Sequence, residues 1–172
     1  MQELTITQEM IDEANVAQNR VRVDRTKASN YDTIVGLIGE MIFSKWWYGD
    51  WQKHNVYGTK GEVDFDRIEI KTSAFPYSDR LNLLVREDYA EKRKPDFYVQ
   101  IIIDIPSRTT KEILAGMKAK ICGYATHEDV DSAELRDFGS KYGVRSGYKC
   151  KFIPLTQLKP IENLMFKYHS HD

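Results

Sequence analysis

Asp64, Glu69 and Lys71 stand within eight positions of one another in the stretch GEVDFDRIEIKTS, residues 61 to 73. Four acids, an arginine and a lysine are interleaved there with residues that belong in a strand. Two alternations run through it, out of phase. In EVDFD the apolar positions are Val63 and Phe65, against Glu62, Asp64 and Asp66; in RIEIK they are Ile68 and Ile70, against Arg67, Glu69 and Lys71. A strand has a period of two, so the slip requires a tight bend or a bulge at Asp66-Arg67. If both apolar sets then face one layer, Asp64 comes near Glu69, while Glu69 and Lys71 share a face about 7 Å apart.

Carboxylates converging on one point repel unless a cation joins them. Mg²⁺ is such a cation, bound through one or two carboxylates with water and substrate phosphate completing its shell. A metal so placed can activate water for in-line attack on a phosphodiester. A neighbouring ammonium such as that of Lys71 can hold the attacking water or offset charge on the phosphorane. Glu40 is a third candidate acid, because it interrupts an otherwise apolar helix. Glu and Lys at this spacing also occur on ordinary solvated strands. The surrounding elements therefore carry the distinction.

Those elements are legible in outline. Residues 7 to about 24 have the periodicity of an amphipathic helix with Thr7 as N-cap, ending in the basic positions Arg20, Arg22, Arg25 and Lys27. A second helix is expected from Asp32 to a stop at Gly49, apolar nearly all round and so buried, with Gly36 and Gly39 permitting close approach. Strands follow in RLNLLVRED, in DFYVQIIIDI (the most continuous apolar run, read as the central strand) and in AGMKAKICGYA. THEDVDSAELRDF begins with a Thr cap and reads as a helix, GYKCKFIPL as the last strand and TQLKPIENLMF as a short terminal helix. The expected fold is α/β, a central mixed β-sheet flanked by helices on both faces. It forms a single domain over residues 1 to 172, with an N-terminal helical part to 30, a core from 33 to 125 and a C-terminal part from 126.

Composition sets limits. The chain has 172 residues, 41% hydrophobic and 30% charged, with a net charge of -1. That balance does not advertise a dedicated nucleic-acid binder, though a local basic patch suffices for phosphate contact. Two cysteines, Cys122 and Cys150, without CxxC spacing point to a reduced, cytoplasmic setting. The opening MQELTITQEM lacks the basic start and apolar run of a signal peptide, and no segment has transmembrane length.

The pattern Asp64-x4-Glu69-Ile70-Lys71, preceded by the helical GLIGE that ends at Glu40, resembles the PD-(D/E)XK nuclease superfamily over about residues 33 to 125. The resemblance implies a restriction-endonuclease-like αβββαβ core, Mg²⁺ or Mn²⁺ as cofactor, and hydrolysis of DNA phosphodiester bonds. It would make Asp64 and Glu69 metal ligands, with Ile70 contributing its backbone carbonyl. Lys71 would be the catalytic lysine, and Glu40 would orient a metal-bound water. The acid spacing is shorter than in many members, and Val63 stands where a proline is usual, so Asp66 and Glu62 compete with Asp64 as first acid. DNA is the implied partner, and a homodimer would suit a compact restriction-like enzyme from a phage, mobile-element or repair context. Arg20, Arg22, Arg25 and Lys27 are candidate phosphate contacts, as is Ser73 at the end of the motif. Trp46, Trp47, Tyr48 and Trp51 could stack on bases, although core or dimer packing is their commoner use. The rival reading is an inactive member of the same fold that binds nucleic acid or protein.

Overall fold

The computed structural model describes residues 1–21, 30–53, 65, 67–87, 94–139 and 148–170, and of Arg20 and Val21 it describes the backbone. A short strand, β1 (Gln2–Thr5), leads into helix α1 (Gln8–Val21), where the Thr7 hydroxyl accepts from the Met10 amide at 3.3 Å, as an N-cap should. Helix α2 (Asn30–Tyr48) begins at Asn30 rather than Asp32 and ends at Gly49, whose φ of 76° closes the helix without a Cβ penalty.

The remaining strands are β2 (Ile68–Phe75), β3 (Asn82–Arg86), β4 (Phe97–Asp104), β5 (Lys118–Thr126), β6 (Glu134–Asp137) and β7 (Lys149–Pro154). They form two sheets among the described residues, one ordered β1-β5-β4-β2 and one ordered β3-β7-β6. The first is mixed, since β2 runs parallel to β4 while β4–β5 and β5–β1 are antiparallel. The fold is therefore mixed α/β, and the apolar run at β4 is an interior strand of the larger sheet, as its composition implied.

One face of that sheet carries α1 and α2. Ile38, Met41, Ile42 and Phe43 of α2 meet Ile68 and Ile70 of β2, Val99, Ile101 and Ile103 of β4 and Ile121 of β5 in a single cluster. Trp46, Trp47 and Trp51 pack against the same cluster, so these tryptophans serve the core. Over the other face, Leu83 and Val85 of β3 and Ile153 of β7 pack on Tyr98 and Ala125. Helices were expected on both faces, but among the described residues the second face is covered mainly by a sheet, with the short α3 (His127–Asp131) contributing Val130.

The segment expected to be one helix from Thr126 divides. Thr126 and Asp129 form a capping box that starts α3, and the chain then turns to pair β6 with β7. Pairing with a neighbouring strand overrides the helical propensity of the AELR stretch. β1, four residues at the sheet edge, had no sequence pattern of its own and is defined by its partners on β5. At the C-terminus, two 3-10 turns precede the helix α4 (Leu164–His169).

Candidate active site on the inner face of an edge strand

The bend inferred from the phase slip is present. Phe65 and Ile68 exchange both backbone hydrogen bonds, and Arg67 lies in a turn between them. Phe65 and Ile68 both enter the helix-side core, Phe65 with its ring 5.0 Å from that of Phe43. Arg67 is tied down from several directions. Its Nε pairs with the Asp96 carboxylate, Nη1 donates to the Tyr168 carbonyl at 3.1 Å, and the guanidinium lies 4.7 Å from the centre of the Tyr168 ring. The turn that feeds β2 is thus clamped to β4 and to α4.

Beyond the turn, α2 fixes β2 by contact too close for any side chain. A Cβ added at Gly39 would lie 1.8 Å from the Thr72 Oγ1, so only glycine fits there. With Ile68 and Ile70 in the helix-side core, strand alternation sends Glu69 and Lys71 to the face away from the helices. Glu69 is 7% exposed, and its Oε1 lies 3.8 Å from the Lys71 Nζ. Burial of a carboxylate is costly unless it is compensated, and a lysine at this distance supplies part of that compensation.

The register of β2 on β4 sets Glu69 beside Tyr98 and Lys71 beside Gln100. Gln100 is 2% exposed and donates from Nε2 to the Ile101 carbonyl at 3.0 Å. The β4–β5 register shifts at that point, with Gln100 opposite Gly123, Ile101 opposite Ile121, and Cys122 as the additional residue. Such a bulge re-aims side chains next to it. Burial pushes the Cys122 thiol up to about 11, which disfavours its thiolate.

A cleft of about 530 Å³ opens along this edge. Lys71, Ser73 and Gln100 line it together with Arg86 of β3, Arg108 of the loop after β4, Tyr148, and Tyr31 and Asp32 at the start of α2. Three cations thus face one carboxylate. Burial, and then the nearby Asp32, raise the Tyr31 hydroxyl above its usual range, so it is neutral at physiological pH. A second cleft of about 550 Å³ lies between β5, α3 and the β6–β7 pair. It contains none of the acids or the lysine of the motif, and its Asp129 and Lys159 are paired with each other.

The structure therefore brings Lys71 and Ser73 to one cleft, while Glu69 is buried beside Lys71 and is not among the lining residues. Glu40 is half-buried on α2, next to Gly39, in the layer on the other face of the sheet. Asp64, with its competitors Asp66 and Glu62, lies outside the described residues, as do Arg22, Arg25, Lys27 and the side chain of Arg20. Among the described residues no three His, Cys, Asp or Glu side chains form a metal-holding group. No family model, curated protein or solved structure matches this chain. The geometry alone carries the functional argument.

Gln100, Arg86, Arg108 and Tyr148 were not singled out in sequence. Gln100 had a signal: a lone amide inside FYVQIIID must find hydrogen bonds in a dry interior. The arginines had none, because they are far apart in the chain and only the fold collects them.

Proposed function

We propose that the chain is a metal-dependent nuclease of PD-(D/E)XK type that hydrolyses DNA phosphodiester bonds. The observation that carries this reading is Glu69 held 3.8 Å from Lys71, on a strand whose Lys71 opens into a cleft of basic character. A buried acid and a lysine beside phosphate-binding cations are the parts that phosphodiester hydrolysis needs. The tight turn, α2 on the opposite face and the parallel β4 are also compatible with the restriction-endonuclease-like core.

Glu69 offers carboxylate oxygens, the donor type that hard divalent cations take. Asp64 is joined directly to Phe65, whose backbone pairs with Ile68, the residue before Glu69. It remains the first acid of choice, with the Ile70 carbonyl as a further ligand. Mg²⁺ or Mn²⁺ bound there would lower the pKa of a coordinated water and draw charge from the scissile phosphate. Lys71 would hold the attacking water or offset charge building on phosphate oxygens. Ser73 and the cleft arginines would position the backbone.

The test is cleavage of plasmid, linear and branched DNA with Mg²⁺ and with EDTA, comparing wild type with Lys71→Ala and Glu69→Ala. Metal-dependent cleavage that both substitutions abolish is expected. Equal activity in all three proteins marks a contaminant and ends the assignment. The binding-only reading draws on the Glu69–Lys71 ion pair, which is self-sufficient as a structural contact. Calorimetry with Mn²⁺ separates the two: heat that disappears in Glu69→Ala supports the hydrolytic site.

A further inference from the structure

The cleft beside Lys71 has a size and a wall chemistry that bear on what enters it. Its volume is about 530 Å³, within the ~300–1,000 Å³ of pockets that enclose a drug-sized molecule. A space of this size can take one or two nucleotides of a strand.

The walls match the same ligand. The Arg86 guanidinium sits 5.5 Å from the centre of the Tyr148 ring, so a planar cation and an aromatic form one surface. Surfaces of this kind stack unpaired bases, whose faces are hidden in a duplex. Lys71 and Arg108 add charge for the phosphates, and Arg108 is exposed on the loop that follows β4. Gln100 also lines the cleft, almost wholly buried and with its amide donating to the Ile101 carbonyl.

We propose that this cleft binds single-stranded nucleic acid, with Lys71 and Arg108 on the phosphates and the Arg86–Tyr148 surface against a base. The substrate is then an unpaired strand, such as an end, a flap or an opened junction. This rests on the nuclease reading only for the role of Lys71 in hydrolysis, because strand binding is measured without turnover.

The experiment uses the full chain in EDTA, with fluorescence anisotropy of a labelled oligothymidylate and of a blunt duplex of equal length. The single strand should bind at least ~10-fold more tightly than the duplex, and Tyr148→Ala should weaken it by about 5- to 100-fold. Arg108→Ala, at an exposed loop position, should weaken binding and lower the salt slope by about 0.7. Arg136→Ala, in the second cleft, should leave affinity unchanged. Equal or tighter duplex binding overturns the proposal, and so does strand binding that neither Tyr148→Ala nor Arg108→Ala disturbs. Adding Mg²⁺ scores hydrolysis separately. Strand binding without cleavage leaves this cleft assignment standing and removes the hydrolytic one; duplex cleavage without strand preference does the reverse.

Discussion

On one face of β2, Ile68 and Ile70 join Phe43, Phe65 and the isoleucines of β4 in the main core. On the other face, Glu69 stands beside Tyr98, and Lys71 stands beside Gln100 where both line a polar cleft. The residues of the two faces alternate along the same strand, so they share one backbone and one degree of order. The apolar face has nothing reactive, and its contribution is rigidity: the Gly39–Thr72 contact and the clamped Arg67 leave β2 little room to move. The polar face uses that rigidity. Its acid and lysine ride on the strand those contacts fix, in surroundings drier than bulk water, where charges act more strongly on one another.

Substitutions can separate the two faces. The largest effect is expected from Lys71→Ala and Glu69→Gln, each lowering cleavage by about 10²–10³-fold, as loss of one electrostatic partner does. Their melting temperatures should shift less than that of Ile101→Ala. That helix-side substitution removes a fully buried side chain and should destabilise the fold by about 2–5 kcal/mol in denaturant titrations. A polar-face substitution that unfolded the protein while Ile101→Ala left it stable would reverse the division of labour. Gly39→Ala is the next test, because its methyl group must displace Thr72. The expected cost is about 1–3 kcal/mol, partly recovered by Thr72→Gly, since the clash is with the Thr72 side chain.

Smaller effects are expected around α3, away from both faces of β2. Thr126→Ala loses the capping box and should cost about 1 kcal/mol. Burial alone would raise the Asp129 carboxyl, but its bonds to Lys159 and Thr126 outweigh burial and hold it below the usual carboxylate range. A carboxyl depressed in this way contributes stability above the ordinary value of about 3.9, and the contribution disappears as pH falls through the lower folded value. Thermal melts carried into acid should therefore fall less steeply for Asp129→Asn than for wild type. Neither substitution should change cleavage per folded molecule.

The candidate site was partly legible because strand chemistry is periodic. Phe65 and Ile68 break the period of two, and only a turn between them lets both reach the core, which is where they are found. The place of Glu69 and Lys71 opposite the isoleucines follows from the same periodicity. β6 was misread for a related reason: AELR has good helical propensity, and only β7 beside it makes it a strand. The second sheet left no trace as a layer, since β3 and β7 each look like an ordinary half-buried strand.

Local sequence thus determined which residues of β2 turn inward, where α1 is capped and α2 stops, and that β4 is buried. These depend on spacings of one to four residues, and such spacings are fixed by backbone geometry. Tertiary structure decided that, among the described residues, a sheet is the main cover of the second face. It also decided that Arg86, Arg108, Gln100 and Tyr148 meet Lys71 at one cleft. Those positions are separated by long stretches of chain, and nothing in local geometry relates them. Their convergence comes from the packing of one sheet on the other.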